Sequence, residues 1–290
     1  MGKVRMKQLI VIADMEGASG IFNNQVKWLW NGGDEWREHG RDCITSDVLA
    51  VCRAAVDFGI DDILLYDMHW AGDSEFNVIL EKLPSIVRVF DVPNRQMLWR
   101  RICGQAMQNP FGLITVGQHA RASVENAYFE HTIQSPPIKN LFLNGIHIAE
   151  IGVSALSFRH VSYLANIGCA ASMPEALELN DGVMTIPVKD LAKGWEPSPV
   201  ETYPLIYEGT MKALQNADKA KHTIINAPYL FSMELYDEYA FDMTQEISWK
   251  GVVEKNRAEW TAPSIDIGLE TFAYLREMGA EIPAFSVKKE

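Results

Sequence analysis

No run of apolar residues in this chain approaches the ~20 needed to cross a bilayer as a helix, so a helical membrane span is excluded. Cysteine is scarce. Cys43, Cys52, Cys103 and Cys169 lie far apart and form no C-x-x-C pair. That excludes a disulfide scaffold, and free thiols in a reducing cytoplasm are the expectation. Positive charge is short as well: 26 Lys and Arg face 38 Asp and Glu, a net charge of −12. Such a surface repels phosphate backbones and anionic membranes, so neither nucleic acid nor a membrane is expected as a partner. There is no internal repeat, low-complexity tract or heptad array. The basic start, Met1 to Lys7, runs straight into strand-like residues, and no signal-peptide core is expected there.

What remains is an ordinary globular composition, 48% hydrophobic over 290 residues. That suffices for one large domain or two modest ones. The first 120 residues alternate strand and helix. Residues 8–14, 62–66, 86–90 and 112–116 read as strands, and 38–58 and 94–108 as helices, the first stopped by Gly59. Asn144-Gly145 between two short apolar runs is a type I′ hairpin signal. A helix is expected from about Glu150 to Ala165, a strand at 183–188, a helix at 201–217, a strand at His222–Asn226 and a last helix at 264–278. The expected class is α/β: a mainly parallel sheet flanked by helices, with a smaller, divergent C-terminal α/β part. A boundary near residue 170 divides 1–170 from 171–290.

Chemistry gathers after the strands. Leu9-Ile10-Val11-Ile12-Ala13 ends in Asp14-Met15-Glu16-Gly17. The second strand ends in Tyr66-Asp67-Met68-His69-Trp70, and the fourth runs into Gly117-Gln118-His119-Ala120-Arg121. In a parallel sheet those ends share one edge, where ligands bind. Carboxylates and imidazoles together suit zinc and its first-row neighbours. Glu150, starting a helix, could complete the set.

Each residue also has a plainer account. Asp14 could cap a helix or turn, Glu16 could be solvated, and His69 could be a hydrogen-bonded core histidine. His119 could orient a loop, and Glu150 could favour a helix N-terminus through the dipole. Coincidence on one sheet edge is the weaker explanation of the group. His131 lies twelve residues beyond His119, and its spacing alone suits a surface or a catalytic role equally. His39, His147, His160 and His222 are expected to be structural or solvated. Asp67 could orient His69 or a neighbouring loop, and Arg121 could pair with a ligand carboxylate or form a structural salt bridge. Trp28, Leu29 and Trp30 read as core more readily than as pocket.

The segments Asp14-Met15-Glu16-Gly17-Ala18-Ser19-Gly20, Asp67-Met68-His69, Gly117-Gln118-His119-Ala120-Arg121-Ala122 and Glu150-Ile151-Gly152 resemble, in order and spacing, the D-aminopeptidase family of dinuclear zinc metallopeptidases. The similarity covers most of residues 8–165. It implies two zinc ions per subunit, with Asp14 bridging them, Glu16 and His69 on one, and His119 and Glu150 on the other. It implies His131 as the catalytic histidine, on a loop one residue longer than in the family. Mn2+ or Co2+ would suit the same shell. It further implies a cytoplasmic homo-oligomer, a ring-shaped decamer, that removes N-terminal residues, notably D-residues, from short peptides. Residues 1–170 would then hold the metals, and 171–290 the oligomer contacts and the substrate pocket.

The chain departs from that pattern at Gly168-Cys169-Ala170-Ala171-Ser172, which carries no acid, and at Ser154, where the family has Asn. Trp249–Ile265 does not align. A metallo-aminopeptidase using metal-activated water is the leading expectation. The alternatives are a dinuclear hydrolase of another amide or phosphate ester, and a non-catalytic peptide-binding protein.

Overall fold

The computed structural model describes residues 7–69, 75–91, 110–133, 137–241, 251–277 and 285–287. The expected helix at 94–108 lies outside them. In chain order the elements begin β1 (Gln8–Ala13), α1 (Arg41–Phe58), β2 (Asp62–Asp67), β3 (Val87–Val89), β4 (Gly112–Gln118), β5 (Ile138–Leu143) and β6 (Ile146–His147). Then come α2 (Glu150–Ser157), β7 (Tyr163–Cys169), α3 (Met173–Leu179), β8 (Met184–Lys189) and α4 (Pro199–Gln215). The last part holds β9 (Tyr229–Leu235), β10 (Tyr239–Phe241), β11 (Gly251–Glu254), β12 (Arg257–Ala262), α5 (Ile265–Glu277) and β13 (Phe285–Val287).

The main sheet is parallel throughout, in the order β3-β2-β1-β4-β7-β8. Its central strands are buried on both faces, which is why they read as unbroken apolar runs. Alternate residues of β1 serve two cores. Ile10 and Ile12 pack toward α2, α5 and the second sheet, while Leu9, Val11 and Ala13 pack toward α1 and α4. Each fully buried aliphatic side chain contributes about 1.5–3 kcal/mol.

A second, antiparallel sheet runs β11-β12-β9-β5-β6, and β10 pairs with β13. Asn144 and Gly145 both take positive φ at the β5–β6 turn, as the hairpin signal predicts. This hairpin delivers the chain to Glu150 at the start of α2. Strands from both sides of residue 170 enter each sheet: β8 closes the parallel sheet, and β5 and β6 close the antiparallel one.

Three expectations are corrected. The helix beginning at Glu150 stops at Ser157 rather than Ala165, and Tyr163–Cys169 is the strand between β4 and β8. That strand is buried along its whole length, so its sequence shows no period of two to separate it from helix. His160 consequently sits in the turn after α2. The segment His222–Asn226 is not a strand. It makes one isolated bridge, from His222 to Ser162.

Candidate metal centre

The loops after β1 and β4 lie backbone against backbone. Asp14 N–H donates to the Val116 carbonyl at 2.9 Å and Gly17 N–H to the Gly117 carbonyl at 2.8 Å. Only glycine permits this approach. A Cβ on Gly17 would stand 1.9 Å from the Gln118 carbonyl oxygen, and one on Gly117, whose φ is +70°, would stand 2.0 Å from the Asp14 carbonyl oxygen. On the other side, Met68 N–H donates to the Ala13 carbonyl at 2.8 Å. Three strand ends are thereby locked side by side, and their polar side chains point into one buried cluster.

Within it, His69 Nδ1 lies 3.0 Å from Glu16 Oε2 and 3.6 Å from Asp14 Oδ1. His119 Nε2 lies 3.4 Å from Asp14 Oδ2 and 3.5 Å from Glu150 Oε1. His131 Nε2 lies 3.6 Å from Glu150 Oε1 and 4.0 Å from Glu16 Oε1. The His119 and His131 rings stack at 4.0 Å between centroids. Glu150 also accepts the Ile133 N–H, and Ile133 itself has φ +57°. All six candidates from the sequence thus stand around one centre.

The imidazoles are pre-oriented. The remote nitrogen of each donates to a backbone carbonyl at 2.8 Å: His69 Nε2 to Leu29, His119 Nδ1 to Ala120, and His131 Nδ1 to Phe129. The tautomer is therefore set with the other nitrogen facing the carboxylates, the arrangement metal-binding histidines adopt.

Electrostatics follow from burial and mutual charge. Burial alone would strip the His69 proton, but Glu16 and Asp14 overrule it and hold its pKa at about 10. Burial likewise acts against the His119 imidazolium, and Glu150, Asp14 and Glu16 lift it well above the usual value. Burial, then the neighbouring Glu16 charge, pushes Asp14 up to about 7. Burial opposes ionised Glu16 and Glu150, yet His69 pulls Glu16, and His119 pulls Glu150, below the usual carboxylate range. His131 is pushed down, by burial and then by His119.

A divalent cation fits this donor set. Asp14, Glu16 and His119 each offer an atom within 4.8 Å of the others, and so do His119, His131 and Glu150. His119 Nε2 and Glu150 Oε2 are buried without hydrogen-bond partners among the described residues. Such atoms are costly unless a ligand takes them.

Around the cluster stand Asn77, Glu175 and Lys189, to which the sequence reading gave no role. Asn77 is fully buried and joins four segments. Its Nδ2 donates to Asp67 Oδ1 at 2.7 Å and to the His69 carbonyl at 2.8 Å, and its Oδ1 accepts from Trp36 Nε1 at 3.0 Å and Asn31 Nδ2 at 3.1 Å. Asp67 thus reaches His69 through Asn77. Glu175 of α3, pushed up to about 7 by burial, accepts the Arg121 N–H at 2.7 Å. Lys189, the last residue of β8, donates to the Glu16 carbonyl at 2.6 Å. A lone polar residue in an apolar stretch gives no signal for such roles. Leu29 is buried, with its carbonyl on His69, whereas Trp30 is exposed. His147 is buried against Phe142, with ring centroids 4.6 Å apart, and His39 is exposed.

No curated protein sequence matches. Among solved structures, the zinc-dependent D-aminopeptidase DppA of Bacillus subtilis, described as a self-compartmentalizing protease, superposes with a TM-score of 0.81 at 22% identity, over 93% of this chain and 97% of that one. At that identity the likeness establishes a shared fold. The D-aminopeptidase family model matches residues 6–273, nearly the whole sequence. On that match the chain belongs to the D-aminopeptidase family of metallopeptidases.

Proposed function

We propose that this chain is a zinc-dependent aminopeptidase that hydrolyses the amide after a free N-terminal residue of a short peptide. The observation that carries the reading is the buried cluster of Asp14, Glu16, His69, His119, Glu150 and His131 at the strand ends. Asp14 would be shared between two ions, its Oδ1 turned toward His69 and its Oδ2 toward His119. Glu16 and His69 would complete one site, and His119 and Glu150 the other. When bound, the ions supply charge that polarises a carbonyl and lowers the pKa of water to about 7.

The chain's own groups do the rest. His131 carries the proton. Burial and the adjacent His119 keep its imidazole neutral near pH 7, and its Nδ1–H is anchored on Phe129. Its Nε2 is then a base facing the carboxylates, able to take a proton there and return it to the leaving amine. Asp67 and Asn77 hold the His69 backbone, and the tight Gly17–Gly117 approach holds Asp14 and Glu16 at their separation.

The reading extends further. Self-compartmentalisation in the structural relative supports a homo-oligomer, proposed as a ring-shaped decamer. The free, buried thiols of Cys43, Cys52 and Cys169 suit a cytoplasmic setting. No helix among the described residues is long and apolar enough to cross a membrane. Residues 1–170 supply the proposed ligands, and residues 171–290 are assigned the pocket and subunit contacts.

Metal analysis of purified protein, with activity on D- and L-aminoacyl amides before and after chelation, tests this. Activity that is lost with the metal and restored by zinc is expected. Full activity in stripped protein, or turnover of phosphate monoesters alone, refutes it.

A further inference from the structure

Lys189 is fully buried, an unusual place for an ammonium group. Its hydrogen-bond partners among the described residues are backbone carbonyls, those of Glu16 at 2.6 Å and Ile21 at 2.5 Å. Aromatic faces close around it, with ring centroids at 4.9 Å for Tyr128, 5.9 Å for Phe22 and 6.0 Å for Phe129. Carbonyl oxygens and π faces are what a small monovalent cation would gather. Burying such a charge costs several kcal/mol, and methionine would fill a similar volume without that cost. The charge therefore acts on what it touches.

Both carbonyls belong to the irregular segment between β1 and the 3-10 turn Asn23–Leu29, which carries Asp14 and Glu16. The peptide unit after Glu16 is pinned at both ends. Its oxygen accepts from Lys189, and its N–H, on Gly17, donates to Gly117. That fixes the peptide plane from which the Glu16 side chain departs. Phe129, at the edge of the ammonium, is also the residue whose carbonyl orients His131.

We propose that Lys189 is a positioning residue for Glu16, its side chain acting as a tethered monovalent cation that clamps the Asp14–Ile21 segment onto β8. The inference rests on the metal-ligand reading above and adds to it a role for a residue from the second half of the chain.

The test is chemical rescue. Lys189→Ala retains Cβ and leaves a slot the size of n-propylammonium, while Lys189→Met keeps the stem without the charge. Zinc affinity, from competition with a chelator, is expected to fall about tenfold to a hundredfold in both variants. Added n-propylammonium should restore it saturably in Lys189→Ala, n-propanol should not, and Lys189→Met should not respond. Wild-type zinc affinity in both variants overturns the clamp, as does equal rescue by n-propanol, which would make packing the cause. If Lys189→Ala does not fold, Lys189→Met carries the measurement. If neither folds, Lys189 is a pillar of the whole structure and the positioning role falls. Wild-type protein that takes up no zinc sinks the metal reading and this inference together, whereas zinc binding that is indifferent to Lys189 sinks this inference alone.

Discussion

Loading the cluster with zinc must expel protons, and the side-chain arrangement sets how many. In the metal-free chain His69 keeps its second proton up to about pH 10, because Glu16 and Asp14 outweigh burial. His119 is held well above its usual value by Glu150, Asp14 and Glu16, again against burial. A metal accepts only the neutral imidazole. The remote nitrogens already donate to Leu29 and Ala120, so the departing protons are those on His69 Nδ1 and His119 Nε2. Just above neutral pH, where both imidazoles still hold that proton, binding should release about two protons, so affinity should rise about a hundredfold per pH unit there, or about 2.7 kcal/mol. Asp14 titrates at about 7, so below that pH it contributes a third proton and the slope steepens. Calorimetric titration of chelator-stripped protein with zinc, in buffers of different ionisation enthalpy, counts the protons directly. Competition titrations across the same pH range give the slope. His69→Gln should lower the slope by one. A wild-type slope near zero would refute the assignment of protons to the two imidazoles, and with it the idea that protons and zinc compete for the cluster.

Gly17→Ala drives a methyl group into the Gln118 carbonyl and should cost more than about 3 kcal/mol in urea unfolding. Gly59→Ala, at φ +88° with open space around it, should cost only about 1 kcal/mol; equal losses would mean steric approach is not the issue at Gly17. Asn77→Ala removes the hydrogen bonds to Trp36 Nε1, the His69 carbonyl and Asp67 together and should destabilise by about 2–4 kcal/mol, so a loss under about 1 kcal/mol counts against the hub. His131→Ala should lower kcat by about a hundredfold or more with bound zinc unchanged; loss of metal instead would make His131 a ligand rather than a proton carrier.

The features visible in the sequence were those whose cause is local. An apolar run followed by two carboxylates says strand, then sheet edge, which placed Asp14 and Glu16; only the company of His69 and His119 at the neighbouring strand ends pointed to a ligand site. The Asn144-Gly145 turn and the Gly59 stop encode their own backbone geometry. The same rule misled at Tyr163–Cys169. A strand buried on both faces carries no alternation, and its first residues, Tyr163 to Ala165, fall inside the helix expected from Glu150. The supports of the site had no local cause. Asn77 acts through Trp36, Asn31, Asp67 and His69, and Lys189 reaches back 173 positions to Glu16. Neither has a periodicity around it that assigns it such a role.

The missing acid at Gly168–Ser172 shows how the two halves of the chain are joined. The turn itself has no carboxylate, yet Glu175 follows it one helical turn on, buried, with its charge felt by His119 and Glu150 and its oxygen on the Arg121 N–H. Lys189 enters from the same side of the sheet order, at the end of edge strand β8, and grips Glu16. The proposed ligands all precede residue 170, but two of the groups that hold their loops come after it. Divergence in the second half can therefore shift the spacing and charge of the cluster without altering a single donor. Selectivity can drift on this fold while the proposed ligands stay the same.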